Sequence, residues 1–160
     1  MTDTPFQPHD HDQCRSHALT ELEARCEKAN LQLTPMRRKV FEILSREHRA
    51  LGAYDILSIL QEEGVKAQPP AAYRALDFLI QAGAVHRIER MNAFVACSHP
   101  DESHDPAFLI CRECASVSET VSKTQDGALA KSARAAGFKV EQTMLEAEGI
   151  CPNCQDQSGT

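Results

Sequence analysis

The stretch PPAAYRALDFLIQAGAVHRIERMNAFVAC, residues 69–97, decides the fold of the first half of the chain. Its first part has helical spacing, with two prolines at the start and Gly83 at the end. The apolar face of this predicted helix consists of Ala72, Leu76, Leu79 and Ile80. Residues 84–97 alternate on both sides of the turn RMNA and therefore predict a two-stranded hairpin. A helix that leads directly into a hairpin is typical of a winged helix-turn-helix.

Three further helical segments precede this stretch. They are SHALTELEARCEKAN (16–30), LTPMRRKVFEILSREH (33–48) and AYDILSILQEEG (53–64). The last helix before the wing would then be the recognition helix in the major groove of DNA. Tyr73 and Arg74 lie off its apolar face and are free to reach DNA. Many helical domains share this pattern, so a domain without DNA remains an alternative at this point.

Composition and charge limit the class of protein. The chain has 160 residues and a formal net charge of −6, which does not by itself indicate nucleic acid. The basic residues cluster in the first half, for example in MRRK (36–39), so that half is suited to a polyanion. The sequence has no apolar run near 18 residues and no secretory signal. We therefore expect a cytoplasmic protein without a membrane span.

The second half has the pattern of a small α/β domain. We predict strands at 107–111 and 115–121, a helix at about 125–136 and a long strand at 138–147, in an antiparallel sheet. A sheet of this size is only marginally stable by itself and needs a stabilising cross-link, such as a metal site, or a partner. The predicted class is α+β, with a disordered tail (1–13), a winged-helix DNA-binding domain (14–97), a hinge (98–106) and an α/β domain (107–160).

The seven cysteines favour metal over disulfides, because their number is odd and the expected compartment is reducing. Two C-x-x-C pairs occur: Cys111, Cys114, Cys151 and Cys154. Two such turns can complete a tetrahedral, coordinatively closed zinc site, which is structural. The alternative is a redox dithiol, but a thioredoxin-type pair would be single and would precede a helix.

A second group of metal-ligand types surrounds the end of the wing. It consists of Cys97, Glu119 and three histidines, His86, His99 and His104, of which any two could supply the imidazoles. One thiolate, two imidazoles and a carboxylate would suit a second tetrahedral zinc site that joins wing, hinge and second domain. The alternative is a buried cysteine beside ordinary surface histidines. A zinc enzyme with Glu119 or His86 as base is disfavoured, since the sequence has no H-E-x-x-H and no nucleophile motif. We predict no catalytic residue.

Taken together, several segments resemble the ferric uptake regulator family from about residue 20 to residue 154. They are LTPMRRKVFEIL, AYDILSIL, QPPAAYRALDFLIQAGAVHRIE, FVAC, FLICREC and GFKVEQTMLEAEGICPNC. The helix PPAAYRALDFL and the ending FVAC are most similar to the zinc uptake regulator branch. The resemblance implies a homodimeric repressor whose zinc locks the dimer in a form that binds a palindromic DNA operator. A member that responds to iron or peroxide is the alternative, against which Cys97 argues.

The resemblance also implies roles for particular residues, with two Zn²⁺ ions per chain. Cys111, Cys114, Cys151 and Cys154 match the structural zinc site of the family, and His86, Cys97, His104 and Glu119 match the regulatory one. Tyr54 and Arg74 match positions associated with base contacts. We expect phosphate contacts from Arg37, Arg38 and Lys39.

Overall fold

The computed structural model describes residues 6, 10–98, 105–122 and 126–157. Its helices are α1 (His11–Lys28), α2 (Pro35–Leu44), α3 (Ala53–Glu62), α4 (Pro69–Gln81), α5 (Ala128–Ala135) and α6 (Pro152–Gln157). Its strands are β1 (Val85–Ile88), β2 (Ala93–Ala96), β3 (Pro106–Cys111), β4 (Val117–Val121) and β5 (Leu145–Gly149). Within these ranges no helix is both long and apolar enough to span a membrane.

Helices α1 to α4 and the hairpin β1–β2, here called the wing, form the predicted winged-helix arrangement. Helix α2 begins with Pro35 in its first turn, and the Thr34 hydroxyl accepts the Arg37 N–H. Helix α4 ends before Gly83, whose φ of +73° favours glycine. The apolar faces of these helices meet in one buried core. The prediction that Ile80 is buried is wrong, since it is 36% exposed and Ala75 takes the inward place.

Helix α1 begins inside the stretch expected to be a disordered tail. The Asp10 carboxylate accepts the backbone N–H groups of Asp12 and Gln13, at 3.0 and 3.3 Å. This side chain satisfies two of the donors that a helix leaves without partners at its start. Residues 11–13 therefore form the first helical turn. The rest of the proposed tail, apart from Phe6 and Asp10, lies outside the described residues.

The C-terminal sheet has the strand order β4–β3–β5. Strands β3 and β4 are antiparallel, as predicted, but β5 runs parallel to β3 and corrects the expectation of an antiparallel sheet. The reason is that β4 ends at Val121, beside Pro106 at the start of β3. β5 begins at Leu145, beside Ala107 at this same end, and therefore runs in the direction of β3. The strand predicted at 138–147 is confirmed only from Leu145 onward. The short helix α6 was not predicted.

A second, smaller core joins the wing to this sheet. Ile88 and Val95 of the wing are buried with Phe108 and Ile110 of β3 and Val117 of β4. Residues 48–51, between α2 and α3, connect the same parts through backbone contacts. Leu51 and Phe94 exchange two hydrogen bonds of 2.9 and 2.8 Å, and the Val117 N–H donates to the His48 carbonyl at 2.9 Å. The wing is therefore docked on one face of the sheet.

Candidate metal centres and nucleic-acid interface

The four cysteines of the two C-x-x-C pairs form one cluster. Cys111 ends β3, Cys114 lies in the turn after it, and Cys151 and Cys154 flank the start of α6. Ala115 takes a φ of +59°, which lets the first turn close tightly. The four sulfur atoms lie within 4.8 Å of one another, and the Cys114 and Cys151 sulfurs are 3.8 Å apart. Sulfur atoms that share a tetrahedral zinc with bonds of about 2.3 Å are themselves about 3.8 Å apart.

The surroundings of Cys111 and Cys114 favour their thiolate forms. The backbone N–H of Cys151 donates to the Cys111 sulfur at 3.3 Å, and with the Cys114 N–H it lowers the pKa of Cys111 to about 6. The Ser116 hydroxyl, 3.1 Å from the Cys114 sulfur, lowers the pKa of that thiol. Cys154 behaves oppositely, since its hydrogen bond to Cys151 and its burial raise its pKa to about 12. Four crowded thiolates require a cation, so the cluster fits a closed structural zinc site.

A second cluster joins the wing to the sheet. His86 comes from β1, Cys97 follows β2, and Glu119 lies on β4; their ligand atoms lie within 4.8 Å of one another. The Glu119 Oε1 atom is 3.0 Å from the His86 Nε2 atom and 3.8 Å from the Cys97 sulfur. The backbone N–H of Ser98 donates to the other Glu119 oxygen at 2.7 Å. The structure thus brings together three of the four predicted ligands.

The chemistry of this second cluster also fits a cation. The Glu119 side chain is only 1% exposed, and a carboxylate buried to this degree is costly unless a positive charge compensates it. An imidazole, a thiolate and a carboxylate are a donor set that suits zinc. The fourth predicted ligand, His104, and its competitor His99 lie outside the described residues. Their roles stay predictions.

The residues predicted to contact bases are exposed on neighbouring helices. Tyr54 is 72% exposed in the first turn of α3, and Tyr73 and Arg74 are exposed in α4. Among the described residues, Arg74 makes no ion pair or side-chain hydrogen bond. Its guanidinium is therefore available to a ligand.

The three basic residues of α2 are engaged within the chain instead. The Arg37 guanidinium lies 3.8 Å from the centre of the Phe78 ring and donates to the Gln32 carbonyl. The remaining two form ion pairs, Arg38 with Glu23 and Lys39 with Glu63. A phosphate would have to displace these carboxylates from partly exposed ion pairs, which typically contribute about 0–1 kcal/mol each. The predicted phosphate contacts stay a prediction.

Comparison with known proteins agrees with the sequence resemblance. The sequence profile of the Ferric uptake regulator family matches residues 28–148. The Zinc uptake regulation protein of Escherichia coli K12 is 36% identical over 137 residues, which cover 85% of this chain and 80% of that protein. The Ferric uptake regulation protein of Neisseria meningitidis Z2491 is 31% identical over 137 residues, covering 82% and 92%.

Solved structures resemble the whole arrangement. A zinc uptake regulator complexed with zinc and DNA superimposes with a TM-score of 0.85 at 34% identity, covering 91% of this chain and 98% of that one. The holo form of a protein named XcZur superimposes with a TM-score of 0.78, and its apo form with a TM-score of 0.53. Both forms are 36% identical and cover 89% of this chain and 99% of theirs. This chain is therefore more similar to the holo form of that protein than to its apo form.

Proposed function

Because the chain belongs to the ferric uptake regulator family, we propose that it is a zinc-responsive, DNA-binding repressor of genes for zinc uptake and homeostasis. One observation carries this proposal: His86 and Cys97 of the wing meet Glu119 of the sheet. The printed names of its relatives, a zinc uptake regulation protein and a zinc uptake regulator complexed with zinc and DNA, support it. The family consists of transcriptional regulators, and no enzymatic role is proposed.

The proposed switch couples the metal to the position of the wing. His86 and Cys97 move with the DNA-binding helices, whereas Glu119 belongs to the sheet, so an ion held by all three favours the docked arrangement. If DNA binds preferentially to the same arrangement, bound DNA raises the affinity for zinc by the same factor by which bound zinc raises the affinity for DNA. His104 would complete this site, and the four cysteines would hold the second Zn²⁺ of each chain. The division into DNA-binding domain (14–97), hinge (98–106) and dimerisation domain (107–160) is part of the proposal.

The experiment that tests the function is a titration of buffered free Zn²⁺ against a fluorescent operator, followed by anisotropy, with Fe²⁺ and Mn²⁺ in parallel. Tight DNA binding only when zinc is supplied is the expected result, since the Cys97 thiolate favours zinc over Mn²⁺. Tight binding that requires iron instead would replace zinc sensing by the alternative, an iron- or peroxide-responsive regulator. Binding that ignores every metal would refute the switch.

The proposed partner of the C-terminal domain is a second copy of the chain. Its surface exposes large apolar side chains: Leu109, Val121, Leu129, Phe138, Val140 and Leu145. Helix α5 buries none of its residues within the single chain. Residues 138–144, predicted as strand, form no ladder among the described residues. A two-fold dimer through this surface would place two recognition helices on a palindromic operator.

Phe138→Glu is expected to dissociate this dimer. The ring is 68% exposed in the single chain, and burying a phenylalanine contributes about 1.5–3 kcal/mol. Because both chains of a two-fold dimer lose this contact, we expect the free energy of dimerisation to fall by about 3–6 kcal/mol. The dimer Kd would then rise roughly 10²–10⁴-fold. Sedimentation equilibrium measures it. Leu31→Glu, at an exposed leucine between α1 and α2, is the control that should stay dimeric. An unchanged dimer in the Phe138 variant would place the interface elsewhere.

Arg74→Ala is expected to weaken operator binding by about 1–3 kcal/mol and to relax sequence preference. The exposed guanidinium of Arg74 can bond two acceptors of a guanine edge, which random DNA does not present in register. Anisotropy with an operator selected from a random pool, against unselected DNA, separates the two effects. Arg38→Ala is the matched control and should weaken both DNAs alike if it contacts phosphate. Equal losses for Arg74→Ala on both DNAs would argue against base readout.

A further inference from the structure

The turn of the wing is held by a carboxylate from β5, 57 residues further along the chain. Glu146, on β5, accepts the backbone N–H of Glu89 through Oε1 at 2.8 Å and that of Arg90 through Oε2 at 3.2 Å. Both oxygens of the half-buried carboxylate are therefore engaged by the turn between β1 and β2. Hydrogen bonds to a charged acceptor are roughly twice as strong as neutral ones.

The position of Glu146 in the sheet relates it to the proposed zinc site. Phe108 of β3 pairs with Glu119 on one side and with Glu146 on the other, so these three side chains form one row across the sheet. The wing lies along this row. Glu119 meets the end of the wing at Cys97, and the Phe108 ring contacts the His86 ring edge-on at 5.6 Å. Glu146 meets the turn at the far end.

The contacts of the wing with Glu119 and with Glu146 differ in whether they need a bound cation. The contact at Glu119 places a buried carboxylate beside a histidine and a cysteine, and such a group needs a cation. The contact at Glu146 uses neutral backbone donors, so it needs neither a metal nor a particular side chain at positions 89 and 90. It can therefore hold the wing on the sheet before zinc is bound.

We propose that Glu146 is a positioning residue that sets the zinc affinity of the regulatory site, by holding the wing docked in the zinc-free protein. The apparent affinity of a ligand falls in proportion to the fraction of protein that is already in the binding-competent state. Glu146 raises that fraction, so His86 and Cys97 already lie near Glu119 when zinc arrives. The inference rests on the proposed zinc site and adds a residue that does not touch the metal.

A neighbouring carboxylate provides a matched control. Glu148 lies two residues further along β5 and pairs with the Arg90 guanidinium at 3.2 Å. Both side chains of this pair are exposed to solvent, so the pair contributes little and is screened by salt. Glu148→Gln therefore makes the same chemical change on the same strand without touching the backbone of the turn.

The test compares Glu146→Gln with Glu148→Gln and the unmodified protein, each with the cysteine cluster loaded and the regulatory site stripped by a mild chelator. Glutamine offers one acceptor oxygen where glutamate offers two. We expect Glu146→Gln to speed hydrogen exchange at the amides of Glu89 and Arg90 and to weaken regulatory zinc binding about tenfold in chelator competition. Glu148→Gln should stay within about twofold on both measurements.

Two outcomes would overturn the proposal. Unchanged exchange at both amides would show that Glu146 does not hold the turn in solution. Faster exchange with unchanged zinc affinity would give Glu146 a structural role only, and thermal unfolding would report it. Neither measurement uses DNA, so a failure of zinc-dependent operator binding, seen in the separate anisotropy titration, would count against the proposed function and not against this contact.

Discussion

Cys97→Ser is expected to abolish the zinc response of DNA binding while leaving a folded dimer. The thiol of Cys97 is 5% exposed and lies 3.8 Å from the Glu119 carboxylate. A serine hydroxyl is of similar size but does not ionise near neutral pH, so the site loses its soft anionic ligand. Couplings of this kind typically change affinity by roughly 5–150-fold, and that gain on adding zinc should disappear.

The measurement is operator anisotropy with and without buffered zinc, with sedimentation to confirm the dimer. Cys26→Ser is a suitable control, because Cys26 is a buried thiol in the core of the winged helix and burial raises its pKa. That variant should lose some stability but keep its zinc response. A zinc response that survives Cys97→Ser would remove the sensor from this cluster.

Cys114→Ser is expected to unfold the C-terminal domain. The three-stranded sheet has one largely exposed strand, β5, and the helix α5 has no buried residue, so the unit has little core of its own. The cysteine cluster ties the end of β3 to the start of α6. Structural zinc contributes about 10–16 kcal/mol to the folding of zinc-finger peptides, so loss of one ligand removes a large part of the stability of such a unit.

Circular dichroism, zinc content and sedimentation report this result together. The variant should lose the tightly held zinc, some strand signal and the dimer, and DNA binding should fall with them. The Cys97→Ser protein, which keeps the cysteine cluster, is the comparison for a folded dimer with one zinc per chain. A Cys114→Ser protein that stays dimeric with an unchanged melting temperature would show that the cluster is not what holds the domain together.

The parts of the fold that can be predicted from the sequence are those that depend on local patterns. The helix of residues 69–81 and the hairpin after it depend on spacing and on Gly83, so their pattern is visible without the structure. The cysteine pairs are equally local, because each C-x-x-C is a single turn. Glu119 can be predicted only from the family resemblance and from the metal-ligand types near it, and the structure places it beside His86 and Cys97.

Other features depend on distant parts of the chain and leave no local pattern. The parallel pairing of β5 with β3 depends on the end of the sheet at which the chain re-enters after β4, and alternation alone does not distinguish parallel from antiparallel neighbours. The role of Glu146 could not be predicted, because its partners are backbone N–H groups that every residue except proline offers. The ion pairs of Arg38 and Lys39 likewise join residues that are far apart in sequence.

The short segment 48–51 has a consequence for the speed of the switch. It is bonded at once to the wing, through Leu51 and Phe94, and to the sheet, through His48 and Val117. Undocking must therefore break backbone hydrogen bonds and expose the small core together, instead of merely swinging about a linker. Such a step has an activation barrier, so we expect the DNA-bound form to outlast a brief fall in free zinc. The protein would then respond to sustained scarcity and ignore short fluctuations.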